Sequence, residues 1–156
     1  MRKVYRMAND RFIRNLSGAG SAKYGGRWNP KGSYVLYTAA TPSLAMLEWL
    51  AHARDRDMDD VYCIATLLLP EGPLQKFSPD QLPDNWKDFP PPPKLKQYGA
   101  DMIASSQWLG MEMPSVLLPI DFNIILNVHH PLFQKLIIED VCILKPDQRL
   151  LPSPMP

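Results

Sequence analysis

Residues 18–52, GAGSAKYGGRWNPKGSYVLYTAATPSLAMLEWLAH, hold a glycine-rich lead, a strand and a helix in succession. Residues 33–38 (SYVLYT) are aromatic and β-branched, the composition of a strand. Thr41 then offers an N-cap oxygen and Pro42 suits the first helical position, so a helix is expected from there to about Ala53. Upstream, residues 17–26 (SGAGSAKYGG) read as a flexible loop, and Pro30-Lys31-Gly32 as a turn. Working outward, strands are expected over residues 4–7 and over the apolar run 61–69. A helix fits residues 98–109, and further strands fit 115–119, 123–128 and 136–144. Strands outnumber helices and do not alternate with them, which predicts an α+β fold over a doubly wound one.

The chain's 156 residues suit one domain, and 46% apolar residues suffice for a core. Seventeen basic against sixteen acidic side chains leave a net charge of +1, which argues against a generally basic, nucleic-acid-binding surface. It permits a local pocket of arginines. No apolar run approaches the roughly 18 residues of a membrane helix, and no apolar stretch follows the basic N-terminus, so a cytoplasmic protein with neither membrane nor direct nucleic-acid contact is expected. Cys63 and Cys142 sit far apart in apolar runs and read as two buried thiols in a reducing compartment. The 17 prolines are about twice the usual share of roughly 5%. They gather between Pro70 and Pro93 and in the final LPSPMP. The organisation expected is one domain over residues 1–150, with 70–97 a proline-rich insertion or loop and 151–156 a flexible tail.

The glycines of residues 18–26 do not make a nucleotide fingerprint. Gly18 and Gly20 fit the first and third positions, but Lys23 stands at the sixth and a strand follows instead of a helix. No Walker loop and no metal-ligand spacing among the three histidines is present, so no metal is expected. Glu48 is the informative acid. On a helix it lies about 40° from Leu44 along a stripe with Leu47 and Ala51. Such a carboxylate must be paired, hydrogen-bonded or neutral, because burying it bare is costly. Two readings stand open: a structural ion pair, with Arg6 or Arg27 as partner, or a functional acid. Arg27, after two glycines and beside Trp28, is either a surface arginine stacked on tryptophan or a fork for phosphate or carboxylate. Tyr34 and Tyr37, three apart, face opposite sides of their strand, so one packs inward and the other can line a site. Ser115, at the start of an apolar run, reads by itself as a strand-edge serine.

Together, residues 18–52, the later run PSVLLPIDFNIILNVHHP (114–131) and DQRLL (147–151) resemble the RES domain, a family named for an arginine, a glutamate and a serine. The resemblance spans nearly the whole chain, though residues 76–96 match no motif of the family. It implies a compact α+β domain similar to ADP-ribosyltransferases, with mostly antiparallel sheets and a few helices. It also implies the toxin of a type II toxin–antitoxin module, which degrades NAD+ as substrate without any cofactor. The implied partner is an Xre-type antitoxin that covers the active-site cleft and through which oligomers form. By position, the resemblance gives catalytic roles to Glu48, Tyr37 and Arg27, and NAD-binding roles to Arg27, Tyr37, Ser115 and Arg6. Asn123 and Asn127 match its pattern without an assigned role. Three activities follow as expectations: NAD+ cleavage with water or phosphate as acceptor, ADP-ribosyl transfer to a protein, or binding without turnover.

Overall fold

The computed structural model describes residues 1–52 and 60–150. Seven strands form one sheet in the order β4-β5-β6-β2-β1-β3-β7. They are β1 (Arg2–Asn9), β2 (Val35–Ala39), β3 (Tyr62–Leu69), β4 (Leu74–Lys76), β5 (Gly110–Pro114), β6 (Phe122–Asn127) and β7 (Ile137–Ile143). All neighbours are antiparallel except β4 and β5. Four α-helices accompany the sheet: α1 (Asp10–Ile13), α2 (Ala19–Tyr24), α3 (Pro42–Ala51) and α4 (Lys96–Ser105). The fold is α+β, as the strand-rich pattern predicts, and mostly antiparallel, as the family resemblance implies. None of the helices among the described residues is long and apolar enough to cross a membrane.

Two apolar layers sandwich the sheet. On one face, Val4, Leu36, Ala65, Leu67, Ile124 and Leu126 pack with Ile13. On the other, Val35, Met111, Met113 and Ile125 pack with Trp28, Leu82, Trp86, Leu95 and Met102. Strand alternation produces this split, since neighbours along a strand point to opposite faces. β1 and β2 meet in register at Tyr5↔Ala39 alone, whereas β1 and β3 pair over their full length.

Several local expectations change. Residues 19–24 are helical, not loop: Gly18 (φ 72°) and Gly25 (φ 70°) bound α2 in conformations glycine adopts without strain. Residues 115–119 are not a strand; the strand is β5, just before them. Pro119 lacks the N–H that a paired strand supplies, and β5 itself, GMEMP, carries none of the β-branched or aromatic residues that mark a strand in sequence. The proline-rich segment is anchored in the core through Leu82, Trp86 and Leu95, which are 7%, 4% and 0% exposed. Cys63 is buried as expected, but Cys142 is exposed because β7 is an edge strand. Ala53, the expected helix end, and the 151–156 tail lie outside the described residues.

Candidate functional site

Register places the site. Tyr37 pairs with Ile125 and Ala39 with Asn123, so these four side chains share one face of β2 and β6. Met113 pairs with Asn123, and Ser115 comes two residues later, at the end of β5. Across this face runs α3. Its start is set locally: Thr41 Oγ1 accepts the Leu44 N–H at 3.2 Å, and Pro42 occupies the first turn. The buried residues of α3 are Leu44, Ala45 and Trp49, while Leu47 is 37% exposed and Ala51 is exposed, so the Leu44–Leu47–Ala51 stripe is not the packed one. Glu48 projects angularly between Leu44 and Ala45 yet is only partly buried.

Glu48 is held by hydrogen bonds. Its Oε1 accepts from Ser115 Oγ at 2.8 Å and from Asn123 Nδ2 at 2.5 Å. Ser115 is wholly buried, and its oxygen also accepts the N–H groups of Leu117 and Leu118 at 3.1 and 3.2 Å. A hydroxyl has one hydrogen and two lone pairs. All are committed, so Ser115 holds Glu48 in place; contact with a ligand would require giving up one of these bonds. Among the described residues no hydrogen bond falls on Oε2 of Glu48.

Arg27 stands close by. Its Nη1 donates to the carbonyls of Trp86 and Asp88 at 2.7 and 3.0 Å, tying it to the proline-rich segment. Burial holds its pKa below the usual value, opposed by the negative charge of Glu48, by Tyr37 and by Asp88. Arg27 and Glu48 thus feel each other electrostatically, yet no ion pair joins them among the described residues. Of the five N–H donors of a guanidinium, those on Nη1 carry its hydrogen bonds.

Tyr37 completes the group. Its hydroxyl donates to Asn29 Oδ1 at 2.7 Å and accepts the Trp28 N–H at 3.2 Å. Burial lifts its pKa well above the usual phenol range, with the Trp28 bond and the Arg27 charge pulling the other way. Asn29, itself fully buried, donates to the carbonyls of Ser21, Pro30 and Ser33. The GGRWN segment therefore folds around the end of Tyr37. Tyr34, before β2, is 43% exposed and packs edge-on against His129.

Arg6 is not brought to this group. Tyr5 pairs with Ala39 and shares the site face, so Arg6 leaves the opposite one. Its Nη1 lies 2.8–3.1 Å from the carbonyls of Phe12, Ile13 and Asn15, where it fastens the turn after α1. Burial alone lowers its pKa. The ligand role implied for Arg6 does not match this placement, and it is not the partner of Glu48. Of the two residues without an assigned role, Asn123 belongs to the site. Asn127 instead accepts the His129 N–H at 3.0 Å in the following turn. In the sequence Asn123 stands out only as a match to the family pattern, without a role. Asp121 was missed altogether: it accepts from the Thr41 hydroxyl at 2.7 Å and so ties the start of α3 to the entry of β6.

Comparison with known proteins gives the family and the fold. The RES domain family profile matches residues 3–151. A Yersinia enterocolitica protein named Toxin Res is 33% identical over 132 residues, covering 84% of this chain and 87% of the relative. A Sphingobium protein named Prs ADP-ribosylating toxin is 29% identical over 120 residues, covering 75% of this chain and 74% of the relative. In fold, a chain of the M. tuberculosis MbcT–MbcA toxin–antitoxin complex superposes with a TM-score of 0.78 at 16% identity, over 92% of this chain and 84% of that one. On the extent of the profile match and the Yersinia identity, the chain belongs to the RES domain family.

Proposed function

We propose that this chain is the toxin of a toxin–antitoxin pair and that it cleaves NAD+ at the bond between nicotinamide and ribose. The observation that carries the reading is Glu48: a partly buried carboxylate, oriented through one oxygen, beside a guanidinium with which it forms no ion pair among the described residues. The relatives' names support the toxin part.

Nicotinamide leaves NAD+ as a neutral base, since the ring nitrogen takes the bonding electrons from the ribose carbon and loses its formal charge. No general acid is needed. The ribose develops oxocarbenium character, which a fixed carboxylate stabilises while accepting a ribose hydroxyl. Glu48 Oε2 is the oxygen available for that. Arg27 offers the N–H groups outside Nη1 to the pyrophosphate. Tyr37 presents its ring to the nicotinamide, with its hydroxyl fixed out of the way. Water adds to the ribose carbon and loses a proton, giving ADP-ribose; phosphate gives ADP-ribose 1″-phosphate. Incubation of purified protein with NAD+, with and without phosphate, followed by mass spectrometry, identifies the product. Intact NAD+ and no free nicotinamide would refute the reading.

A second reading, transfer of ADP-ribose to a protein, draws on the Sphingobium relative's name. Labelled NAD+ separates the two by whether label ends in protein or in small molecules. For the partner, we propose an Xre-type antitoxin that covers the site. Turnover by the purified complex equal to that of the free chain would contradict it.

A further inference from the structure

We infer that Asn123 is a positioning residue: together with Ser115 it grips one oxygen of Glu48 and thereby determines that the other, Oε2, meets the ligand. The inference rests on the reading of Glu48 as the group that acts on NAD+.

A glutamate has three side-chain rotors, and a single donor would let the carboxylate pivot about the bonded oxygen. Here two donors approach Oε1 from separate elements, Asn123 from β6 and Ser115 from the loop after β5. Both are rigidly mounted. Asn123 lies inside the sheet, paired with Ala39 on one side and Met113 on the other. The Ser115 oxygen is held by two backbone N–H groups, which leaves its hydrogen for Glu48. The Asn123 amide donates to a carboxylate, so the bond is charge-assisted. Two residues earlier, Asp121 accepts from the Thr41 hydroxyl at 2.7 Å. One short segment of chain thus fixes α3 both at its N-cap and at Glu48.

The test compares the full-length wild type with Asn123→Ala, Glu48→Gln and the double variant, measuring kcat and KM for NAD+. The expected loss in kcat for Asn123→Ala is about ten- to a hundredfold, the scale of a hydrogen bond to a charged group, with KM little changed. In the Glu48→Gln background the same substitution should cost less than about twofold, because a residue acting through Glu48 has nothing left to position. Losses that multiply in the double variant, or a raised KM at unchanged kcat, would overturn the inference. Should the alanine variant not fold, Asn123→Leu keeps a similar shape, removes the donor without adding a charge and carries the same comparison. A crystal structure of the variant decides independently of turnover: the Glu48 carboxylate should turn away from its wild-type orientation, and an unmoved carboxylate overturns the inference. Wild type that leaves NAD+ intact refutes only the functional reading, and the crystallographic arm still stands.

Discussion

The guanidinium of Arg27 donates to the backbone carbonyl of Trp86 at 2.7 Å, across a separation of 59 residues. The cation after the paired glycines is thereby fastened to the proline-rich segment. The same contact region brings the rings of Trp28 and Trp86 to 6.4 Å between centroids, and Tyr98 stands edge-on to Trp28 at 5.8 Å. Residues 76–96, which match no motif of the family, therefore form part of the wall on which Arg27 rests.

Trp86→Ala tests that wall. Trp86 is 4% exposed, and truncating a buried tryptophan typically costs about 3–5 kcal/mol. Thermal unfolding should shift to lower temperature, and KM for NAD+ should rise because the backbone carbonyl at position 86, which Arg27 bonds, is no longer anchored by the buried ring. An unchanged melting temperature would mean that the segment is a detachable cover and not part of the core.

Local signals were legible and long-range registers were not. Thr41 and Pro42 announce α3 because capping depends on neighbours in sequence. Gly18 and Gly25 misled because the same residue type marks both flexible loops and helix ends. Glu48 stood out as an acid on an apolar helix, but its partner Asn123 is 75 residues away. Nothing in the spacing of either reveals the other. Arg6 and Arg27 were equally plausible neighbours of Glu48 until the Tyr5↔Ala39 pairing turned Arg6 to the far face. Sequence periodicity says which residues share a face within one strand; only strand pairing says which faces of different strands coincide.

Glu48→Gln keeps the shape of the side chain and removes its charge. Loss of a group that stabilises transition-state charge usually costs about 10²- to 10³-fold in rate. NAD+ turnover should fall by that order while the melting temperature changes little, since the amide oxygen of Gln can still accept from Ser115 and Asn123. Steady-state kinetics beside calorimetry checks both. Undiminished turnover would remove Glu48 from the chemistry.

Gly26→Ala should damage both fold and activity. A Cβ at that position would stand 2.5 Å from the Tyr37 hydroxyl and 2.8 Å from Asn29 Oδ1, two groups already bonded to each other. Neither can retreat freely, because Asn29 is fully buried and held by three carbonyls. A cost of about 1–3 kcal/mol, the usual range for overpacking, is expected by chemical denaturation. By contrast Gly20→Ala, whose Cβ would meet nothing within 4 Å, should leave stability unchanged or slightly raised. Equal effects of the two substitutions would show that the Tyr37–Asn29 contact is not confining.

Tyr37 should leave a signature at alkaline pH. Its phenol donates to Asn29, and burial raises its pKa above the ordinary value of 10.0. The folded protein therefore keeps this proton where the unfolded chain releases it. Below about pH 10 both states hold the proton and the group adds no pH dependence. As pH rises past that value, only the unfolded state ionises, and the protein loses up to about 1.4 kcal/mol of stability per pH unit from this residue. Tyr37→Phe cannot titrate. At neutral pH it should be less stable by about 1–2 kcal/mol, because the buried Asn29 oxygen loses its donor. Its deficit relative to wild type should then shrink above pH 10. Urea denaturation of both proteins from about pH 8 to pH 11 measures the gap. Parallel curves across that range would mean that the Tyr37 hydroxyl ionises as readily in the folded chain as in the unfolded one.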